Sequence, residues 1–205
     1  MQSGTNGSRT RSLGEDFDAV LAAARAGRPE AWERLYRSLA PAVTGYLRVQ
    51  GAAEPDDLAS EAFLGVFRRI GSFSGDEAGF RSWVFVIAHR RLQDDRRRSS
   101  RRPVMDDSFD ESVSTAIGRE HRSGELAGGN VEDDALASIS NERVKRVCAR
   151  LAPDQADVLL LRILGDLTVD QVAHVLGKTP GAVKALQRRG FEAVRKILSA
   201  EGVPL

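Results

Sequence analysis

Apolar residues recur three and four positions apart along most of this chain, and nowhere do they alternate for long enough to make a strand. Phe17, Val20, Leu21 and Ala24 form the first such stripe, closed by Gly27. Pro29 suits the opening turn of a second helix with Trp32, Leu35, Tyr36 and Leu39 on one face. Pro41 permits a further helix through Val43, Tyr46 and Leu47, ending near Gly51. A long helix is predicted from Pro55 to Ile70, with Leu58, Ala62, Phe63 or Leu64, Val66 and Ile70 inward. After a Gly/Ser loop from Gly71 to Asp76, Phe80, Trp83, Val84, Ile87 and Arg91 carry the stripe into an arginine-rich end. The fold class is therefore all-α, and residues 17–102 are predicted to be a helical block with its own core.

Residues 103–135 break the periodicity. They hold 2 basic and 9 acidic side chains and few large apolar ones, so burial cannot offset the entropy of ordering them. A flexible acidic linker is expected there, and a disordered tail over residues 1–16, which are mostly polar. A second helical block is expected over residues 136–200. Its first stripe is Ile139, Val144, Val147 and Leu151, and its next helix runs from Pro153 to Leu164, with Gly165 placed to cap it. The expected architecture is thus two small helical domains on a tether.

The most specific local pattern lies near the C-terminus. Thr168 and Gln171 have capping-box spacing ahead of Val169, Val172, Ala173 and Leu176, and Gly177 supplies a turn. Thr179 then caps a helix that has Pro180 in its first turn. Two short helices crossing at a small residue, Ala173, make a helix-turn-helix. The second helix carries Thr179, Lys184, Gln187 and Arg188 on its outer face, the donors that a recognition helix needs in a major groove. An αα-hairpin with a solvated polar face is the plainer alternative.

Composition removes other classes. Net charge is +1, but residues 1–102 carry +4, residues 103–135 carry −7 and residues 136–200 carry +5. A single cysteine, Cys148, allows no internal disulfide, and His89, His121 and His174 lack ligand spacing, so no metal site or cofactor is expected. No apolar run reaches a membrane span and no signal core opens the chain, so it reads as cytoplasmic. Arginine far outnumbers lysine, which suits phosphate recognition and is equally the mark of a GC-rich genome.

The front block carries two candidate sites. Residues 81–102 hold eight Arg against Asp94 and Asp95, either a solvated surface or a phosphate-binding helix end. Phe73 and Phe80, set among Gly71, Gly75 and Gly79, suit a pocket for an unstacked base. Trp83 fits the core or that pocket, and His89 reads as a polar surface residue without a partner. Asp57 and Glu61 share one helix face, where docking to a basic protein surface fits better than catalysis.

Together these stretches resemble a known family. Pro55-Asp56-Asp57-Leu58, Glu61 and Phe63, followed by Phe80-Arg81, Trp83-Val84 and Ile87-Ala88, resemble region 2 of extracytoplasmic-function (ECF) sigma factors. Leu151, Pro153, Gln155, Val158–Arg162, Thr168, Val172-Ala173, Leu176-Gly177, Gly181 and Val183-Lys184 resemble region 4. Ser60 departs from the Gln often found before the motif's Glu. The resemblance implies a non-enzymatic promoter-specificity subunit of bacterial RNA polymerase. Asp56, Asp57, Glu61 and Phe63 would meet the coiled coil of the polymerase β′ subunit. Phe73, Ser74, Asp76, His89, Arg90, Gln93, Asp94 and Arg97 would take the −10 element. Arg162, Thr179, Pro180, Lys184, Gln187 and Arg188 would read the −35 element, and an apolar surface of the back block would hold the β-flap tip. An anti-sigma partner is also implied. An ordinary helix-turn-helix regulator explains residues 136–200 but leaves the front block without a task, and a nuclease lacks a metal site.

Overall fold

The structure, a computed structural model, describes residues 13–101 and 142–202. Every regular element among them is helical. The front set is α1 (Phe17–Arg25), α2 (Pro29–Val49), α3 (Pro55–Arg69) and α4 (Glu77–Arg101), with a 3-10 turn, Ile70–Ser72, between α3 and α4. The back set is helical residues 142–149 (α5), α6 (Pro153–Ile163), α7 (Val169–Leu176) and α8 (Pro180–Ala200). The linker assigned to residues 103–135, and the start of the back block at 136, lie outside the described residues.

Local chemistry sets most boundaries. Pro29, Pro55, Pro153 and Pro180 each stand in the first turn, where a missing N–H costs nothing. Thr168 and Gln171 form the capping box, each side chain bonding the other's backbone N–H. Gly177 ends α7 with φ 62°, a conformation that a Cβ disfavours.

Three boundaries differ from expectation, and one choice left open is decided. Pro41 does not divide α2, which runs through it as one helix; its ring faces solvent, where a lost backbone bond is made good by water. Residues 14–16, assigned to a tail, form a 3-10 turn, because the Leu13 and Gly14 N–H groups donate to the Glu77 carboxylate at 2.8 and 3.0 Å. Phe63 rather than Leu64 faces inward: it is 4% exposed, and Leu64 is 53% exposed. Gly165 is not the left-handed residue after α6; Asp166 is, at φ 51°.

Gly165 is required for space instead. A Cβ there would lie 2.6 Å from the Leu161 carbonyl oxygen, 3.2 Å from Leu167 Cγ and 3.3 Å from Phe85 Cε2. Phe85 belongs to α4, so this glycine marks where the back set meets the front set.

The two sets share one apolar core. Val43, Tyr46, Leu47, Val66, Val84, Phe85 and Leu92 of the front set pack in the same cluster as Val158, Leu161, Leu167, Val172 and Val183 of the back set. A smaller cluster of Leu151, Ala156, Leu159 and Ile197 ties α6 to α8. Helix α4 is buried on both sides, with Val84, Phe85, Val86, Ile87 and Ala88 consecutively in the core. Expectation gave it one inward stripe; its second face is taken by α7.

Gly165→Ala is expected to destabilise the fold by about 2 kcal/mol through overpacking. Gly181→Ala, where a Cβ meets nothing within 4 Å, is expected to leave stability unchanged or slightly raised. Urea unfolding of the two variants beside the parent chain measures both.

Candidate nucleic-acid interface

The helix-turn-helix is built as its sequence requires. Thr179 accepts from the Ala182 N–H at 3.2 Å and so opens α8, while Val183 is buried beneath α7. The spacing leaves Thr179, Pro180, Lys184 and Arg188 exposed and Gln187 half-buried. Lys178, in the turn, is drawn to Asp154 at 2.9 Å. Arg162 is different. Its guanidinium donates to the Leu167 carbonyl and its Nε is buried without a partner among the described residues, so the side chain braces the α6–α7 turn.

The arginine run does not form a single basic face. Arg81 is buried and pairs with Glu77 at 3.7 Å and Asp166 at 3.5 Å. Arg91 approaches Glu61 at 3.8 Å, and Arg96 donates to the Gln50 backbone and side-chain oxygens at 2.8 and 3.0 Å. Arg90, Arg97 and Arg98 remain exposed, Arg97 with Asp94 at 3.5 Å. A helix passes its side chains around all its faces, so a charge run in sequence is split between packing and solvent.

The loop ahead of α4 holds an aromatic pocket. Phe73 stacks on Trp83 with centroids 5.2 Å apart and meets Phe80 edge-on at 5.3 Å. Ser74 is exposed beside them. Asp76 spends one carboxylate oxygen capping α4, accepting from the Gly79 N–H at 2.8 Å. Trp83 is half-buried and lines the cavity, so it serves core and pocket together.

His89 is not the unpartnered surface residue expected. Its Nδ1 lies 2.7 Å from the Tyr46 hydroxyl, its Nε2 lies 3.4 Å from Gln93 Nε2, and Tyr46 donates to Asp157 at 3.4 Å. One tautomer, Nδ1–H, satisfies all three contacts. Gln50 also donates to Asp157, which is 6% exposed. Burial, reinforced by the Arg96 charge, pushes the His89 pKa down to about 4. Burial pushes Asp157 up, and Tyr46 well above its ordinary value. Sequence reading missed this network because Asp157 lies 111 positions from Tyr46 and 107 from Gln50, and Tyr46 lies 43 from His89. The one hint was an acid, Asp157, directly before the apolar run Val158–Leu161.

The acidic face of α3 is open. Asp56 and Asp57 occupy its exposed first turn, and Asp56 lies 3.4 Å from Arg48. Phe63 packs beneath, edge-on to Tyr36 at 4.8 Å. Beside it, Trp32, Tyr36, Ser60, Phe63, Leu64 and Phe67 line an apolar groove between α2 and α3. Leu64 and Phe67 are about half exposed. Their i, i+3 spacing, off the Leu58–Ala62–Val66 stripe, was the signal for that groove.

Two family models match these two helical sets: sigma-70 region 2 over residues 35–102 and sigma-70 region 4 over residues 147–196. The RNA polymerase sigma-H factor of Pseudomonas aeruginosa is 30% identical over 153 residues, covering 73% of this chain and 76% of that protein. This chain belongs to the ECF branch of the sigma-70 family. The ECF RNA polymerase sigma factor BldN of Streptomyces coelicolor is 36% identical over 182 residues, 85% of this chain. The match spans 63% of the BldN length. Among solved structures, CnrH in complex with the cytosolic domain of CnrY superposes with a TM-score of 0.62 at 19% identity, covering 91% of this chain and 99% of CnrH. That similarity is one of fold.

The low His89 pKa fixes a pH dependence for this sigma-family fold. Between about 6.5 and about 4 the unfolded chain holds a proton that the folded chain refuses, so stability falls as pH drops through that window. Asp157 acts oppositely, because the folded chain takes its proton at higher pH than the unfolded one does. His89→Gln removes only the first effect. Relative to that variant, the parent is expected to lose about 1–2 kcal/mol between pH 7 and pH 4.5, less than the full linkage value because the ring is only half-buried. Urea titrations at the two pH values provide the check.

Proposed function

We propose that this chain is a promoter-specificity subunit of bacterial RNA polymerase, reading −35 DNA with α8 and −10 DNA with the loop and exposed face of α4. The observation that carries it is the presence, in one chain, of a capped helix-turn-helix with Lys184 and Arg188 exposed and an acidic, apolar-flanked α3 face that DNA would repel. A DNA-binding regulator needs only the first. Asp56, Asp57 and Glu61 supply charge to the β′ coiled coil, and Leu64 and Phe67 supply apolar contact beside it. Phe63 supports that face from below.

On DNA, Lys184, Gln187 and Arg188 face base edges, while Thr179, Pro180 and the α8 N-terminus approach phosphate. Arg162 supports the turn and reaches phosphate only by leaving the Leu167 carbonyl. Phe73 and Trp83 offer an aromatic surface to an unstacked −10 base, with Ser74 beside it. Asp76 shapes that loop, and Arg90, Gln93, Asp94 and Arg97, with His89, form the adjoining helix surface. Exposed Ile163 and Phe191 suit the β-flap tip. An anti-sigma partner belongs to the same reading; CnrH was solved with the cytosolic domain of CnrY. The work is done in the cytoplasm, and the chain itself performs no catalysis. No described helix is long and apolar enough to cross a membrane, and no described His, Cys, Asp or Glu group is placed to hold a metal.

Reconstitution with core polymerase on genomic DNA, followed by transcript sequencing, tests the reading. Defined start sites with shared upstream elements are expected; duplex binding without initiation would assign the chain to ordinary regulators. Lys184→Ala or Arg188→Ala is expected to weaken −35 duplex binding by about 1–3 kcal/mol. Equal parent affinity for matched and scrambled duplexes would remove the basis for that number. Asp57→Arg is expected to abolish co-elution with core polymerase while the circular dichroism spectrum is preserved; retained co-elution counts against the α3 face.

A further inference from the structure

The back set sits on the surface assigned above to the −10 element, and it does so at two places. At the first, the pocket floored by Phe73 and Trp83 is lined on its other side by Asp170, Gln171 and His174 of α7. Gln171 Nε2 donates to the Ala78 carbonyl at 3.0 Å while its Oε1 accepts from Thr168, so one amide both caps α7 and ties it to the loop. Asp166, in the turn just before α7, reaches Arg81 at 3.5 Å. At the second place, Asp157 of α6 bonds Tyr46 and Gln50, and Tyr46 in turn bonds His89, which lies beside Gln93. By contrast, Lys184 and Arg188 on α8, and Leu64 and Phe67 on α3, stay exposed.

We propose that this contact is an autoinhibitory latch: α7, held in place with α6, stands against the Phe73–Trp83 pocket of the −10 surface, leaves the −35 helix and the polymerase face open, and must swing away before an unstacked base can enter. The latch rests on the −10 assignment made above; the contact it describes does not. Its occupant is named by the bonds themselves, since Gln171, Asp166 and Asp157 each find their partner on the front set. The closed state is also poised rather than locked. Closing buries apolar surface around Phe85, Leu164 and Gly165, but it also buries the Asp157 carboxylate, whose desolvation opposes closure. A partner shifts the balance toward the open state only by binding the open chain more tightly, as one covering the surface that opening exposes around Phe85 would.

The test fixes the contact at a point remote from both DNA surfaces. A Cβ on Gly45 would lie 3.9 Å from Leu164 Cδ1, so Gly45→Cys with Leu164→Cys, in a Cys148→Ser background, places two thiols across the interface. A short bis-methanethiosulfonate reagent bridges them, and dithiothreitol releases them. The expected result is rapid bridging within one chain, loss of at least about 90% of promoter-dependent transcription when the bridged chain is added to core polymerase, and recovery on reduction. Asp166→Asn with Gln171→Glu breaks the Arg81 and Ala78 contacts, because the glutamate still caps Thr168 but cannot donate. In that background bridging is expected to slow, and a Cys placed at buried Ser82 in the pocket, in a chain without the bridging pair, to react at least about threefold faster with a thiol reagent. Undiminished transcription by the bridged chain overturns the latch. So does bridging no faster than in the Asp166→Asn, Gln171→Glu chain, or bridging only between two copies. Failure of the reduced chain to initiate at all would overturn the sigma reading instead, and bridging with Ser82 labelling would then judge the contact alone.

Discussion

Everything in this molecule is arranged around the double burial of α4. Its five consecutive core residues, Val84 to Ala88, cannot be covered by one neighbour, because a single contact shields about a third of a helix surface. α2 and α3 cover one side and α7 covers the other. The Arg-bearing flanks of the same helix are thereby divided. Arg81, Arg91 and Arg96 are committed to Asp166, Glu61 and Gln50, and Arg90, Arg97 and Arg98 are left in solvent. Packing thus decides which cations remain for nucleic acid.

The polar network at Asp157 follows from the same packing. A carboxylate brought to the edge of a shared core must be hydrogen-bonded, and Tyr46 and Gln50 provide that at the end of α2. His89 and Arg96 are drawn in behind them. The network joins α2, α4 and α6, so it reports the relation between the two helical sets more directly than any apolar contact does. It also explains why the histidine, which chain order presents as solitary, titrates far below its ordinary range.

The division of labour between the sets follows charge and shape. The acidic first turn of α3 beside an apolar groove suits protein, whereas the Lys184–Arg188 edge of α8 suits DNA. Neither surface takes part in the contact between the sets. The surface proposed for the −10 element does, where α7 lines the aromatic pocket of Phe73 and Trp83. On the assignments proposed above, such a chain is ready to assemble before it is ready to open DNA.

The order and ends of the helices were legible in the sequence because they depend on neighbours a few residues away. Proline in first turns, the Thr168–Gln171 box, the Gly177 turn and the 3.6-residue stripes all act locally. The exposed edge of α8 was legible for the same reason. What the tertiary structure alone decided is which side of each helix is covered. It carried α2 straight through Pro41, turned Phe63 in and Leu64 out, and gave Gly165 a steric task against Phe85. It also brought Asp157 to Tyr46 and set α7 against the Phe73 pocket. Those outcomes depend on pairs far apart in the chain, whose energies local periodicity does not contain.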